Sequence, residues 1–421
     1  MRILFIHQNF PGQFRRIAQS WAQQPGWEVV GLGRRTAPGM DGVRWLPYDL
    51  HRSTGKDQHP YLKQMEGAVL HGQAVARVLL KLKAQGFVPD VIMAHPGWGE
   101  TLYAKDVFPN TKLIHFCEWY YGTPDGDAGF DPEFPLSFDA QARMRTWNAL
   151  HALNLEHCDA GISPTQWQRS RHPAIFQPKI HLAHEGVDTQ TLGPDPYATF
   201  TLPNGHTVKA GDSVITYVAR NLEPYRGFHS FMRALQRVQQ AHRQCHTIII
   251  GGDDVSYGGR PKDATNWREK MLAEVQLDPT RTHFLGKVPY DAYRRALQVS
   301  AAHVYLTYPF VLSWSCLEAM ASGCLVIGSR TAPVQEVVEH GRNGLLVDFF
   351  DPVEMARTIV DALEAPQAMA PLRIQAQQDV ADQYSFEAGQ KAYRALLNSP
   401  HQPCAGLPVL PSLFDCLWRS P

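Results

Sequence analysis

Tyr308-Pro-Phe-Val-Leu-Ser-Trp-Ser-Cys-Leu-Glu-Ala-Met-Ala-Ser-Gly-Cys-Leu-Val-Ile-Gly328 is the stretch whose reading orders the rest of the chain. An apolar run at 301–306 precedes it, and a second apolar run follows Gly323. Between them a short loop enters a helix at Ser313 or Ser315, because a hydroxyl at the N-cap satisfies an orphan helix amide. A strand, a loop and a helix mouth with free amides make an anion site. Glu318 follows one turn inside, within reach of whatever docks there. The bland reading of the same residues is an ordinary βαβ unit with a solvated glutamate.

Outward from this unit the pattern repeats. Short apolar runs at 3–7, 27–32, 91–94, 113–116 and 160–162 alternate with longer amphipathic stretches. A second series follows at 214–219, 247–250, 282–285, 301–306, 325–328 and 345–347. Short, fully apolar runs predict strands buried on both faces, hence parallel and covered by helices. Two such series predict an α/β chain with two doubly wound, Rossmann-like domains, each offering the carboxyl ends of its strands to ligand. Turn formers between 188 and 212 place the boundary there. The expected divisions are 1–190, 191–384, and a C-terminal helix with an irregular tail over 385–421, the helix returning toward the first domain.

Bulk chemistry narrows the partners. In 421 residues, Lys+Arg and Asp+Glu are both 40, so no basic excess argues for nucleic acid. Seven cysteines without a CxxC pair argue against a zinc knuckle or disulfide scaffold and fit a reducing compartment. No apolar run reaches the roughly 18 residues of a membrane span, so a cytoplasmic protein is expected. The basic edge formed by Arg77, Lys81 and Lys83 reads first as a solvated helix face. It becomes a peripheral membrane contact only if the acceptor is lipid-linked.

Chemistry-bearing residues cluster at predicted strand ends. His7-Gln-Asn-Phe-Pro-Gly12 ends the first strand, and Gly12 allows close backbone approach to a ligand. The segment is not GxGxxG, and no acidic residue ends the second strand, so a nicotinamide enzyme is disfavoured. His95-Pro-Gly-Trp98-Gly-Glu100 and Cys117-Glu118-Trp119-Tyr120 combine aromatics with carboxylates, the combination that suits sugar rings. Arg220 and Arg226 flank the start of another helix, where two guanidiniums can clamp a diphosphate. Gly251 and Gly252 end a further strand and admit a nucleobase edge. Asp125-Gly-Asp127 lacks the later glutamate of a calcium loop.

Together these residues resemble the family 4 (group 1) retaining glycosyltransferases of the GT-B type. The likeness is carried by Arg220 and Arg226, Gly251-Gly252, Phe284-Leu-Gly-Lys287-Val288, Ser315-Cys-Leu-Glu318-Ala-Met-Ala-Ser-Gly323 and Glu185-Gly-Val-Asp188. It implies two Rossmann-like domains facing a central cleft, and transfer of a sugar from a nucleoside-diphosphate donor to a glycan, glycolipid or other acceptor hydroxyl. No cofactor and no metal are implied, although Asp253-Asp254 leaves a question. By the resemblance, Gly12, Arg220, Arg226 and Ser313, Trp314 and Ser315 hold the diphosphate, and Glu318 holds the ribose. Gly251, Gly252, Lys287 and Val288 lie at the base, and Trp98, Glu100, Trp119 and Tyr120 face the acceptor. Glu118, His95, Arg220 and Arg226 are the catalytic candidates. Two departures stand out. Phe310 occupies the first position of the family's Glu-x7-Glu pair, which normally contacts the donor hexose, and Cys117-Glu118 stands where a strand-end histidine is usual. A GT-B sugar-nucleotide epimerase and a non-catalytic nucleotide-sugar-binding protein are the alternatives.

Overall fold

The structure is a computed structural model describing residues 1–123 and 125–399; residues 400–421 of the expected tail lie outside the described residues. The first half folds around a parallel sheet of β1 (Arg2–Ile6), β2 (Glu28–Arg34), β3 (Arg44–Tyr48), β4 (Val91–Ala94), β5 (Lys112–Phe116), β6 (Ala160–Ser163) and β7 (Ile180–Leu182). Their order in space is β3-β2-β1-β4-β5-β6-β7. The apolar runs become these strands because both faces of the sheet are covered, and the Ile3–Ile6 side chains are wholly buried. β3 and β7 were not among the expected strands. Both are sheet edges, where a sequence need not be apolar on both sides. β3 even carries Pro47, whose missing N–H is tolerated at an edge.

The second half opens with a small antiparallel hairpin, β8 (Thr199–Thr201) and β9 (Thr207–Lys209), inside the turn-rich boundary segment. Its Leu202 and Val208 join Leu192 and Ala198 in the core of the second half. The second parallel sheet consists of β10 (Val214–Asn221), β11 (His246–Gly252), β12 (Thr282–Gly286), β13 (Ala302–Tyr305), β14 (Leu325–Ser329) and β15 (Leu345–Val347), in the order β12-β11-β10-β13-β14-β15. In each sheet the order reverses beside a central strand, between β1 and β4 and between β10 and β13. Ligands of doubly wound folds bind in that crevice, beyond the carboxyl ends of the strands. The quoted stretch supplies one wall of the second crevice, with its helix at Trp314–Ala321.

The chain joins its halves in two places. Val187 pairs with Ser385 where the chain leaves the first half and where it comes back. A Cβ on Gly186 (φ +82°) would stand 2.5 Å from the Phe386 Cα, so this crossing needs a glycine. The Phe386–Asn398 helix then buries Tyr393, Leu396 and Leu397 against Ile3, Phe5 and Trp21 of the first half. The Trp21 indole N–H donates to Gln390 Oε1 at 2.9 Å.

The second junction is a loop of the first half, residues 125–135, that straps onto the second. Tyr225 donates its hydroxyl to Asp127, and Tyr308 donates to Asp131 Oδ2 at 2.7 Å. Glu133 pairs with Arg233, while Phe130 stacks among Tyr308, Phe349 and Phe350. The Asp131 carboxyl is buried, so its bonds are expected to count. Tyr308→Phe removes one donor to a charged acceptor and should cost about 1.5–3 kcal/mol. Urea unfolding would measure this, and an unchanged midpoint would mean that the strap does not stabilise the closed arrangement.

Candidate active site

On the first-half side, His7, His95 and Glu118 follow β1, β4 and β5 and therefore meet at one end of the sheet. The His95 Nδ1 accepts the Gly97 amide at 3.1 Å, which leaves the proton on Nε2 to face Glu118 Oε2 at 3.1 Å. Gln13 donates to the other carboxylate oxygen at 3.2 Å, and Gln168 donates to the Glu118 carbonyl at 2.9 Å. Burial works to raise the Glu118 carboxyl, but the His95 hydrogen bond and charge, helped by His7 and Gln13, outweigh it. The carboxyl therefore lies below its usual range. His7 is pushed down to about 3, mainly by burial and then by His95, so it is neutral. Trp98 stacks on His95 with ring centres 4.4 Å apart. Gly12 (φ +48°) carries the chain over His7, where a Cβ would meet the imidazole at 2.4 Å.

On the second-half side the helix mouth is built from beneath. Arg226 is buried, and its Nη1 donates to Thr307 Oγ1 at 2.8 Å and to the Val311 carbonyl at 3.0 Å, with the Tyr305 hydroxyl at 3.3 Å. Tyr305 in turn accepts the Ser313 amide at 2.7 Å, and the Ser313 hydroxyl caps the Ser315 amide at 3.4 Å. Arg226, expected as a free clamp, is therefore a brace for the loop before the helix. Gly227 (φ +68°) lets the next helix sit directly on Leu306, whose Cβ would be 2.4 Å from an added methyl. Two of the three amides expected at the mouth are already engaged, which leaves Trp314, half-exposed, at the opening. Arg220 is exposed and shares a depression with Gly251, Lys287 and Val288. Gly252 adjoins it, with its absent Cβ facing the Lys287 stem at 2.7 Å.

Glu318 points across the cleft. Tyr293 donates to its Oε2 at 2.8 Å and Tyr290 to its Oε1 at 3.3 Å, while Arg16 of the first half stands 4.0 Å from Oε1. Burial raises this carboxyl, and the tyrosine bonds and Arg16 oppose the rise. Gln13, Arg16, Glu185, Trp314 and Glu318 line one interdomain cleft. Of these, Gln13, Arg16 and Glu185 were not among the expected site residues, nor were Tyr290 and Tyr293. The available signals were Gln13 and Arg16 within a turn of Gly12, and the i, i+3 tyrosine pair.

Several expected residues are placed elsewhere. Phe310 is buried among Trp119, Tyr225 and Tyr257, with ring centres 4.8, 5.6 and 5.1 Å away. Its carbonyl accepts the Trp167 indole N–H at 3.0 Å. The position thus closes an aromatic seam between the halves. Trp119 belongs to that seam and is buried, so it offers no open stacking face to an acceptor. Glu100 is wholly buried and accepts the Tyr48 hydroxyl at 2.8 Å, because its turn folds under the loop instead of into the cleft. Burial pushes it up to about 7. Tyr120 turns toward His151 and His172. Asp253 and Asp254 pair with Arg268 and Arg260. The one group of three or more histidine, cysteine or acidic residues among the described residues whose ligand atoms lie close enough to share an ion is Asp131, Glu133 and His229, in the strap.

With this geometry in place, comparison with known proteins decides the family. Residues 25–192 match a model described as glycosyl transferase family 4 group, and residues 212–365 match one described as glycosyl transferases group 1. The chain belongs to the family 4, group 1 glycosyltransferases. The first match spans β2 to β7 and the second spans β10 to β15. The GDP-mannose-dependent alpha-(1-6)-phosphatidylinositol monomannoside mannosyltransferase of Mycolicibacterium smegmatis is 22% identical over 50% of this chain and 54% of its own. The D-inositol 3-phosphate glycosyltransferase of Corynebacterium jeikeium is 30% identical over 34% of this chain and 33% of its own. The chain thus matches about half the length, or less, of these curated relatives. Whole-chain likeness is seen in solved structures. Anabaena HepE, crystallised with UDP-glucose, superimposes with a TM-score of 0.66 at 17% identity, covering 94% of this chain and 99% of that one. The sucrose-phosphate synthase of Thermosynechococcus elongatus gives 0.69 at 18%, covering 95% and 100%. At this identity the likeness concerns the two-domain GT-B fold. Among the described residues, no helix is long and apolar enough to cross a membrane.

Proposed function

We propose that this glycosyltransferase moves a sugar from a nucleoside-diphosphate donor to an acceptor hydroxyl, with retention, in glycan or glycolipid synthesis. The supporting observation is the cleft in which Gln13 and Arg16 of one half oppose Trp314 and Glu318 of the other. The helix mouth and cationic side chains favour the diphosphate, and the Glu318–tyrosine group favours a ribose diol. Departure of the diphosphate gathers negative charge. Donors aimed there stabilise the transition state more than the ground state. In this reading Arg220 and Arg16 reach the phosphates, while Arg226 holds the loop that shapes their seat. Chelation with EDTA would then leave transfer unchanged. His95 and Glu118 lie at the acceptor side, where the dyad can take up or relay the hydroxyl proton.

The decisive experiment is a panel of nucleoside diphosphates in thermal shift, followed by a transfer assay with the donor of the base that stabilises. Stabilisation without transfer to any extract acceptor would favour the non-catalytic reading, and turnover without acceptor would favour the epimerase. Glu318→Ala should weaken nucleoside diphosphate binding about tenfold, since it removes a hydrogen-bond acceptor for the ribose and strands Tyr293. Equal calorimetric affinity in the variant would remove Glu318 from the ribose site.

A further inference from the structure

Glu185 lies in the crossing segment and lines the interdomain cleft together with Arg16, Trp314 and Glu318. It is 3% exposed, and its Oε2 has no hydrogen-bond partner within the chain. The nearest basic group is His184 Nε2 at 3.9 Å, beyond a hydrogen bond. That imidazole accepts the Gly186 amide on Nδ1, which holds it in place facing the carboxyl. A buried carboxyl with an unsatisfied oxygen is costly, and such groups call for an explanation. Glu185 also has a fixed position. Gly186 is locked against Ser385 and Phe386, and a Cβ on Gly389 would stand 2.6 Å from the His184 carbonyl and 2.9 Å from that of Glu185. The backbone beneath the carboxyl is therefore rigid, as a preorganised contact requires.

Resting on the donor reading above, we infer that Glu185 is a positioning residue that hydrogen-bonds hydroxyls of the donor's transferred glycosyl group. Its surroundings give the reason. Trp314 at the helix mouth and Arg16 bear on it from the diphosphate side, and Glu118 bears on it from the acceptor side. In the donor reading the transferred sugar lies between those two sides, in the cleft that Glu185 lines with Arg16 and Trp314. Burial pushes this carboxyl up to about 8, so it is mostly protonated near neutrality. A neutral carboxyl both donates and accepts, and that matches a vicinal pair of sugar hydroxyls. Phe310, by contrast, is closed in by edge-to-face contacts with Trp119, Tyr225 and Tyr257, and its side chain has no hydrogen-bonding group. The carboxyl that meets the donor sugar is therefore carried by the interdomain crossing instead of by the loop at Phe310.

The test compares two ligands that differ only by the sugar. UDP against UDP-glucose, and GDP against GDP-mannose, are titrated calorimetrically into the full chain and into Glu185→Ala and Glu185→Gln, with circular dichroism to establish folding. The expected result is unchanged nucleoside diphosphate affinity in both variants. Nucleotide-sugar affinity should fall at least tenfold in Glu185→Ala and be largely restored in Glu185→Gln, whose amide still donates and accepts. Equal losses for both ligands, or no loss for either, would overturn the assignment. If the unaltered chain binds neither nucleoside diphosphate, the donor reading itself fails and takes this inference with it. Should Glu185→Ala not fold, Glu185→Leu, which fills the space without a polar atom, takes its place, and there a loss confined to the nucleotide sugar supports the inference while a loss common to both ligands, or absent from both, refutes it.

Discussion

Replacing Arg226 by alanine is expected to cost the protein about 2–6 kcal/mol and to remove transfer activity together with stability. The reason is that one guanidinium nitrogen, Nη1, holds the loop before the helix from inside the fold. Its removal leaves Thr307 Oγ1 and the Val311 carbonyl without a donor, each loss being worth about 1–3 kcal/mol when buried. It also empties the space over Tyr257, whose ring lies 5.3 Å from the guanidinium. The consequence travels along a short path, since Tyr305 touches Arg226 and receives the Ser313 amide. Without the brace, the loop that sets the helix mouth can shift, and misplacement of about 1 Å in a phosphate seat is enough to lose about 10²-fold in rate. Arg226→Lys should restore part of the loss, because all three bonds leave a single nitrogen, Nη1, and an ammonium also has three donors. Urea unfolding and a transfer assay together check this. A variant with unaltered stability but lost nucleotide binding would instead return Arg226 to direct contact with the diphosphate.

Glu118→Gln is expected to lower kcat by about 10²–10³-fold while nucleoside diphosphate affinity stays unchanged, as for loss of a group acting in proton transfer. The amide keeps the shape, but it cannot hold a proton relayed through His95. The pH profile carries a second check. The folded carboxyl is depressed, so Glu118 remains ionised as pH falls through the ordinary glutamate value of about 4.3. Its contribution to stability is fully present above the unfolded pKa and is lost only as pH falls through the lower, folded value. An acid limb in kcat/KM at or above about 5 in the unaltered chain would show that another group controls the reaction. Loss of affinity in proportion to kcat would make Glu118 a binding residue instead.

The two-sheet architecture was legible because its signal is local. Apolar runs of four to six residues alternating with amphipathic stretches leave little choice but covered parallel strands, and β10, β11, β13 and β14 lie where those runs do. The edges of the first sheet were not legible, whereas β12 and β15 at the edges of the second were. β3 contains Pro47, and β7 is too short for a period to register. The candidate site was legible only in part, for a related reason. His95 and Glu118 sit at ends of neighbouring strands, so topology alone brings them together, and Ser313 and Glu318 follow from one helix turn. Arg226, Phe310 and Glu100 carry residue types that suit a ligand, but their partners come from distant segments.

The sequence by itself determined the fold class, the family likeness and the strand ends at which chemistry would gather, since these depend on residues near one another in the chain. Only the tertiary structure decided which side chains face the cleft. Arg226 is tied through Nη1 to Thr307 and Val311, Phe310 closes an aromatic seam between the halves and Glu100 meets Tyr48, whereas the crossing carries Glu185 to the cleft and its Gly186 carbonyl accepts from Arg16 Nη1 at 3.2 Å. A buried polar group goes where its hydrogen bonds can be met, and those partners lie tens to hundreds of residues away.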